Sequence, residues 1–192
     1  MNRADDITAD LIRKKVRGAH RNAVQPGSSL RAGVLVPVIV SNDGLMLLFT
    51  KRTEIVETHK GQVSFPGGVV EASDRDILHT AIREANEEVG VPEGDIEIVG
   101  LLDDHATPTG FVITPVVALV RPSAPFTPNT DEVADVFQVP IEFFADPLNA
   151  RMEIRTVQGR AREVWHYTAG EHTIWGATAA IVRSLLAVLG KI

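Results

Sequence analysis

Glu84, Glu87 and Glu88 stand at i, i+3 and i+4 in a segment, Ile77–Val89, whose apolar residues at 77, 78, 81, 82, 85 and 89 repeat with the period of a helix. That spacing puts the three carboxylates on one side of the helix, roughly opposite Ala81, Ile82 and Ala85. Carboxylates so close repel one another unless water screens them or cations lie among them. Hard oxygen donors in a chain without cysteine select Mg²⁺ or Mn²⁺. Mg²⁺ shares its coordination between one or two carboxylates and phosphate oxygens, so the chemistry to expect is on phosphate. Alone, the run Glu-x-x-Glu-Glu equally describes an exposed helix face, with Arg83 simply paired to Glu87 at i+4.

The preceding loop narrows the choice. Pro66-Gly67-Gly68 combines a fixed turn with two residues free to take positive φ and to let backbone approach a ligand. Asp74 lies near the helix start, where its charge favours the helix dipole and a capping role is the plainer reading. A glycine turn, an acid, Arg-Glu and then Glu-Glu-x-Gly, in that order, are far more specific together than apart.

Other elements must hold these residues in place. Asp5 to Arg17 reads as a short helix and Pro26-Gly27-Ser28-Ser29 as a link, which divides the chain into residues 1–29 and a domain of residues 30–192. Residues 34–40 and 45–52 flank Ser41-Asn42-Asp43-Gly44 as a β-hairpin. Gly90 and Pro92 stop the central helix. Strands are expected at residues 96–102, 112–120 and 136–139, then a hairpin pairing 152–157 with 162–167 about Gln158-Gly159, and a closing helix over 175–189. Hairpins mixed with a central helix point to an α+β sandwich with a mixed sheet, not a doubly wound parallel one.

Composition bounds the function. The 192 residues suit one domain, and 44% apolar content is enough for a sizeable core. Zero cysteines exclude disulfides, thiolate catalysis and iron–sulfur clusters, and fit a reducing compartment. No apolar run approaches a membrane span and no secretory signal is apparent, so a cytoplasmic protein without a membrane partner is expected. The net charge of −6 is uneven: residues 1–31 hold seven Lys/Arg against three Asp, and the rest twelve against twenty-two Asp/Glu. Arg13, Lys14, Lys15, Arg17 and Arg21 read as a solvated helix face, or as a contact for an anionic ligand or acidic partner. Aromatics amount to 5% with no aromatic–basic interleaving, so nucleic acid is not an expected partner.

Gly68, Asp74, Arg83, Glu84, Glu87, Glu88 and Gly90 together resemble the Nudix box. The usual box has a glutamate six residues after the glycine and an arginine eight further on; here the acid is Asp74 and the arginine lies nine on. Leu48-Phe49-Thr50-Lys51-Arg52 and the run His59-Lys60-Gly61-Gln62-Val63-Ser64-Phe65-Pro66-Gly67-Gly68 are similar to the coenzyme A pyrophosphatase branch of Nudix hydrolases, where an aspartate with this longer spacing is the normal form. The likeness continues through Thr114-Pro115-Val116-Val117, Asp131-Glu132-Val133 and Ile174-Trp175-Gly176-Ala177-Thr178-Ala179, so that it covers most of the chain beyond the N-terminal segment.

The resemblance implies a Nudix α/β/α sandwich and metal-assisted hydrolysis of a small-molecule diphosphate, coenzyme A split into 3′,5′-ADP and 4′-phosphopantetheine. It puts Mg²⁺ or Mn²⁺ on Glu84, Glu87 and Glu88, with Glu84, Glu87 or Glu132 as proton acceptor and Arg83 orienting the carboxylates. Gly61, Gln62, Phe65, Gly67 and Gly68 would shape the substrate pocket, Phe65 equally suiting the core. Arg52 ends a strand with a guanidinium suited to bidentate phosphate contact, whereas Lys51 should face the other way. His59 is a weaker phosphate candidate, and Asp103-Asp104-His105 fits a polar strand exit as well as a metal site. His166 and His172 have no metal spacing, and Trp165 and Trp175 read as packing. A homodimer is common in the wider family. Two alternatives stand: a Nudix hydrolase of ADP-ribose, nucleoside diphosphate sugars or dinucleotides, and a non-catalytic nucleotide-binding regulatory module, which usually lacks the metal ligands retained here.

Overall fold

The computed structural model describes residues 7–42, 44–53, 61–157 and 159–192. Asp5, Asp43, His59, Lys60 and Gln158, which fall in the expected first helix, the two hairpin turns and the loop motif, lie outside these. The fold is an α+β sandwich with a mixed sheet, as expected. At its centre β1 (Leu30–Ser41) runs parallel to β7 (Phe111–Val120), and every other pair in the sheet is antiparallel.

β1 meets β2 (Gly44–Arg52) over residues 38–41 and β4 (Gly67–Val69) over residues 32–34. β2 also pairs with β3 (Val63–Ser64) and with β8 (Val133–Pro140). β7 carries β5 (Ile96–Leu101) and β6 (His105–Ala106).

Strand alternation divides the core in two. Leu35, Ile39, Val116, Ala118 and Val120 face α2 (Ile77–Val89) through its buried Ala81, Ala85 and Val89. Val36, Val38, Phe49, Val117 and Leu119 face the other way, toward α1 (Ala9–Arg17) and α4 (Gly176–Leu189). Burial on both faces explains why residues 34–40 and 112–120 are nearly continuous apolar runs.

A short α3 (Ile141–Ala145) leads to a second sheet in which β10 (Arg160–Ala169) lies between β9 (Ala150–Val157) and β11 (His172–Trp175). The expected second hairpin is present but longer, and β11 is an addition. Trp175, expected as the first helical residue, instead ends β11 with extended φ and ψ of −147° and 176°.

The N-terminal helix is part of the domain's own core. Ile12 and Val16 are buried with residues of the main sheet and α4, and Val16 fills the space beside Gly100 that a side chain there would need. Three arginines of the N-terminal segment, Arg13, Arg17 and Arg21, meet the acidic body of the same chain. Arg13 makes two bonds of 2.8 and 2.7 Å to Glu97, and Arg21 donates to Asp104 at 2.6 Å. Asp103 accepts from the backbone and side chain of Asn22 at 2.7 and 2.9 Å. Asp103 and Asp104 thus fasten the N-terminal segment, which accounts for them without a metal.

Candidate active site

The site is assembled on α2 and the strand beneath it. Asp76 is the N-cap, its side chain accepting from His79 N at 2.9 Å, so the capping role expected of Asp74 falls two residues on. Gly90 closes the helix in the left-handed region at φ 71°, bonding back to Ala85 and Asn86. From that end the chain is tied onward: Asn129 N donates to Glu88 O at 2.9 Å and Thr53 N to Glu132 O at 2.9 Å, which brings Glu132 to the end of β2.

The Asp74 side chain is buried and works at the side of the helix. Its carboxylate accepts from Thr80 Oγ1 at 2.9 Å and Glu71 N at 2.9 Å, and lies 2.9 Å from His79 Nδ1. Arg83 donates to it from Nε and Nη2 at 3.0 and 3.1 Å. The guanidinium, and the other donors, hold the Asp74 carboxyl well below the usual carboxylate range. With two donors so committed, Arg83 turns Nη1 toward Glu84 and Glu87, each at 2.9 Å. Glu71, Thr80 and His79 are members of this network that sequence reasoning missed; they share only short sequence separation from Asp74.

The three glutamates occupy different environments. An α-helix advances about 100° per residue, so Glu84 lies only about 60° from Ala81 and Glu88 only about 60° from Ala85, not opposite them. Glu88 is accordingly 6% exposed, Glu84 is half-buried and Glu87 is open to solvent. Burial pushes the Glu88 carboxyl up to about 8, helped by the charges of Glu84 and Glu132 and opposed by Arg52 and a backbone hydrogen bond from Gly67. Burial likewise raises Glu84, with Arg83 opposing. Glu88, Glu84, Glu132 and Arg52 therefore sit within electrostatic reach of one another, with Arg52 Nη2 3.9 Å from Glu132 Oε2.

Gly67 and Gly68 lie in β4 and are absent from the positive-φ glycines, so neither provides the left-handed turn the loop composition suggested. They are glycines because there is no room for more. A Cβ at Gly67 would come within 2.5 Å of Val34 Cγ1 and 2.6 Å of Gly33 O, and one at Gly68 within 2.2 Å of Glu84 Oε1. Gly61 does take positive φ, at 63°. Gln62 O accepts from Arg52 N at 3.0 Å. Phe65 is 3% exposed and stacks on Phe49 at 4.7 Å, so of the two roles considered for it the core one holds and it supports the loop from within.

These residues fit a hard divalent cation. Glu88 Oε2 is buried without a hydrogen-bond partner, and the Glu84 carboxylate lies in the cradle that Gly68 leaves open. Among the described residues no three acidic or imidazole side chains stand at ligating geometry, and in this arrangement Arg83 pairs with Glu84 and Glu87. His172 is occupied elsewhere, stacked on Phe137 at 3.7 Å with Nε2 3.2 Å from Asp135, and His166 lies 3.0 Å from Glu153. Trp165 packs under Arg183, whereas Trp175 is 36% exposed.

The family model described as NUDIX domain matches residues 29–158. A protein described as an uncharacterized Nudix hydrolase, NudL, from Pectobacterium atrosepticum is 40% identical over 156 residues, covering 81% of this chain and 80% of that one. A NudL of the same description from Citrobacter koseri is 36% identical over 182 residues, 94% and 90% of the two chains. Among solved structures, a C. elegans Ap4A hydrolase binary complex superposes with a TM-score of 0.55 at 14% identity, over 85% of this chain and 99% of that one. The Nudix hydrolase RenU from M. smegmatis gives 0.50 at 20% identity, over 62% and 74%. Identities this low speak for the fold alone.

Proposed function

The chain belongs to the NUDIX domain family, and from that membership we propose that it is a cytoplasmic enzyme hydrolysing the diphosphate of coenzyme A or a derivative to 3′,5′-ADP and 4′-phosphopantetheine. The observation that carries the hydrolytic reading is Glu88, buried with an unpartnered oxygen beside Gly67 and flanked by Glu84, Glu132 and Arg52. The choice of coenzyme A rests on the likeness of the upstream Gly-Gln-Val-Ser-Phe-Pro-Gly-Gly run to that branch.

Glu84, Glu87 and Glu88 would hold Mg²⁺ or Mn²⁺, which when bound neutralises phosphate oxygens and acidifies water. Arg83, anchored by Asp74, holds Glu84 and Glu87 at fixed positions until they are needed. Arg52 offers a guanidinium to a phosphate, its Nε buried and unpartnered. Glu132, half-exposed and 3.9 Å from Arg52, would take the proton, with Glu84 and Glu87 the other candidates. Retention of all three glutamates disfavours a binding module without catalysis.

The test is chromatographic product analysis after incubation with coenzyme A, ADP-ribose and NADH, each with Mg²⁺ and Mn²⁺. Coenzyme A is expected to yield 3′,5′-ADP, and Glu87→Gln to lose at least about a hundredfold in rate. Faster cleavage of ADP-ribose or NADH would move the proposal to another Nudix substrate. Retention of coenzyme A without products would favour the binding module.

A further inference from the structure

The second sheet ends in an arm only two strands wide. β10 pairs with β11 over residues 166–169, while its residues 160–165 pair with β9 alone. A two-stranded ribbon is marginal in water, and an outer strand presents unpaired backbone groups that can accept another strand. β9 is that outer strand. It is also apolar on one face: Met152 and Ile154 are 42% and 60% exposed, and Trp165 stands opposite Met152. Arg151, Glu153 and Arg155 alternate on the other face.

We propose that β9 is a self-association surface: two copies of this chain join antiparallel along β9 about a two-fold axis at Ile154, forming one continuous β10-β9-β9-β10 sheet. The order of charges supports this register. With the axis at Ile154, Glu153 of each copy faces Arg155 of the other, and each Glu153 already pairs with Arg155 of its own strand. The four charges then alternate in sign along and across the strands, while Ile154 meets Ile154 and Met152 meets Thr156.

Neighbouring registers are worse. An axis at Glu153 sets glutamate against glutamate and Arg151 against Arg155, and one at Arg155 sets arginine against itself. An axis at Met152 satisfies the charges but runs the strand ends into the turn Pro147–Asn149, so only residues 150–154 pair; the Ile154 axis pairs residues 151–157. Such an isologous contact closes on itself and leaves neither β9 edge open.

Light scattering on the eluting full chain tests this. The expected mass at micromolar concentration is twice 20.8 kDa. Ile154→Lys and Glu153→Arg should each return it to the monomer, and adding Arg155→Glu to Glu153→Arg should restore the dimer. Because the chain has no cysteine, Ile154→Cys should cross-link two copies on oxidation where Leu148→Cys does not. Circular dichroism establishes that each variant is folded. A folded wild-type chain that runs as a monomer, or a dimer unmoved by Ile154→Lys and Glu153→Arg, overturns the proposal.

Discussion

Gly68 leaves open the space that the Glu84 carboxylate occupies, and the atom a methyl group there would strike is the end of a flexible side chain. Gly68→Ala should therefore move Glu84 while leaving the fold intact. Gly67 is different, since a methyl group there would strike the backbone of Gly33 and Val34, which cannot swing aside. We expect Gly68→Ala to cut kcat by about a hundredfold, the cost of displacing a reacting group by about an ångström, with little change in melting temperature. Gly67→Ala should instead cost about 1–3 kcal/mol of stability. Steady-state kinetics beside thermal melting separates the two, and equal losses of stability in both variants would contradict this account of Gly68.

At the scale of elements, the upstream loop and the C-terminal helix form one unit. Thr178, in the first turn of α4, donates to Val63 O at 3.1 Å in a buried hydrogen bond spanning 115 residues of sequence. Val63 belongs to β3, a strand of two residues held otherwise by β2. So short an element depends on that contact to keep Gln62 and Phe65 at their level against Arg52 and Phe49. Thr178→Val keeps the shape and leaves a buried carbonyl without a donor, so a loss of about 1–3 kcal/mol is expected, accompanied by a raised KM. Thr178→Ser, which retains the hydroxyl, should recover most of both. A normal KM in a Thr178→Val protein that melts early would limit Thr178 to a structural role.

For the whole molecule, carboxylates shifted in opposite directions shape stability against pH. Without divalent cation, the folded state holds a proton on Glu88 up to about pH 8, whereas the unfolded chain releases it near its ordinary value of 4.5. Between those limits the folded state binds more protons, so stability falls as pH rises from about 4.5 to about 8. Glu97 runs the other way: its hydrogen bonds from Arg13 lower it to about 2, so its contribution is lost as pH falls from 4.5 toward 2. Asp74, held low by Arg83, adds to that acid limb. Melting temperature in chelator should therefore peak at mildly acidic pH, with Glu88→Gln and Mg²⁺ each reducing the decline toward pH 8, to which the raised Glu84 also contributes. A flat profile from pH 5 to 8 in chelator would show that Glu88 is not strained by its burial.

Local pattern was enough to define α2 from Ile77 to Val89, since its apolar period, its carboxylate spacing and Gly90 all depend on residues within a few turns. It also located β2 and β7 within a residue, because strands buried on both faces are apolar runs. Motif order singled out Arg83 and the three glutamates as the candidate chemical centre. Three features lay beyond it: the depth at which Glu88 is buried, the anchoring of Arg83 by Asp74, and the strands β3, β4 and β11. Glycine disfavours strand, and Gly67 joins β4 only because β1 lies at a distance that no larger residue there would permit. Helix spacing already set Glu88 beside Ala81 and Ala85, but how deeply a carboxylate there is covered depends on what the rest of the chain lays against that side of the helix.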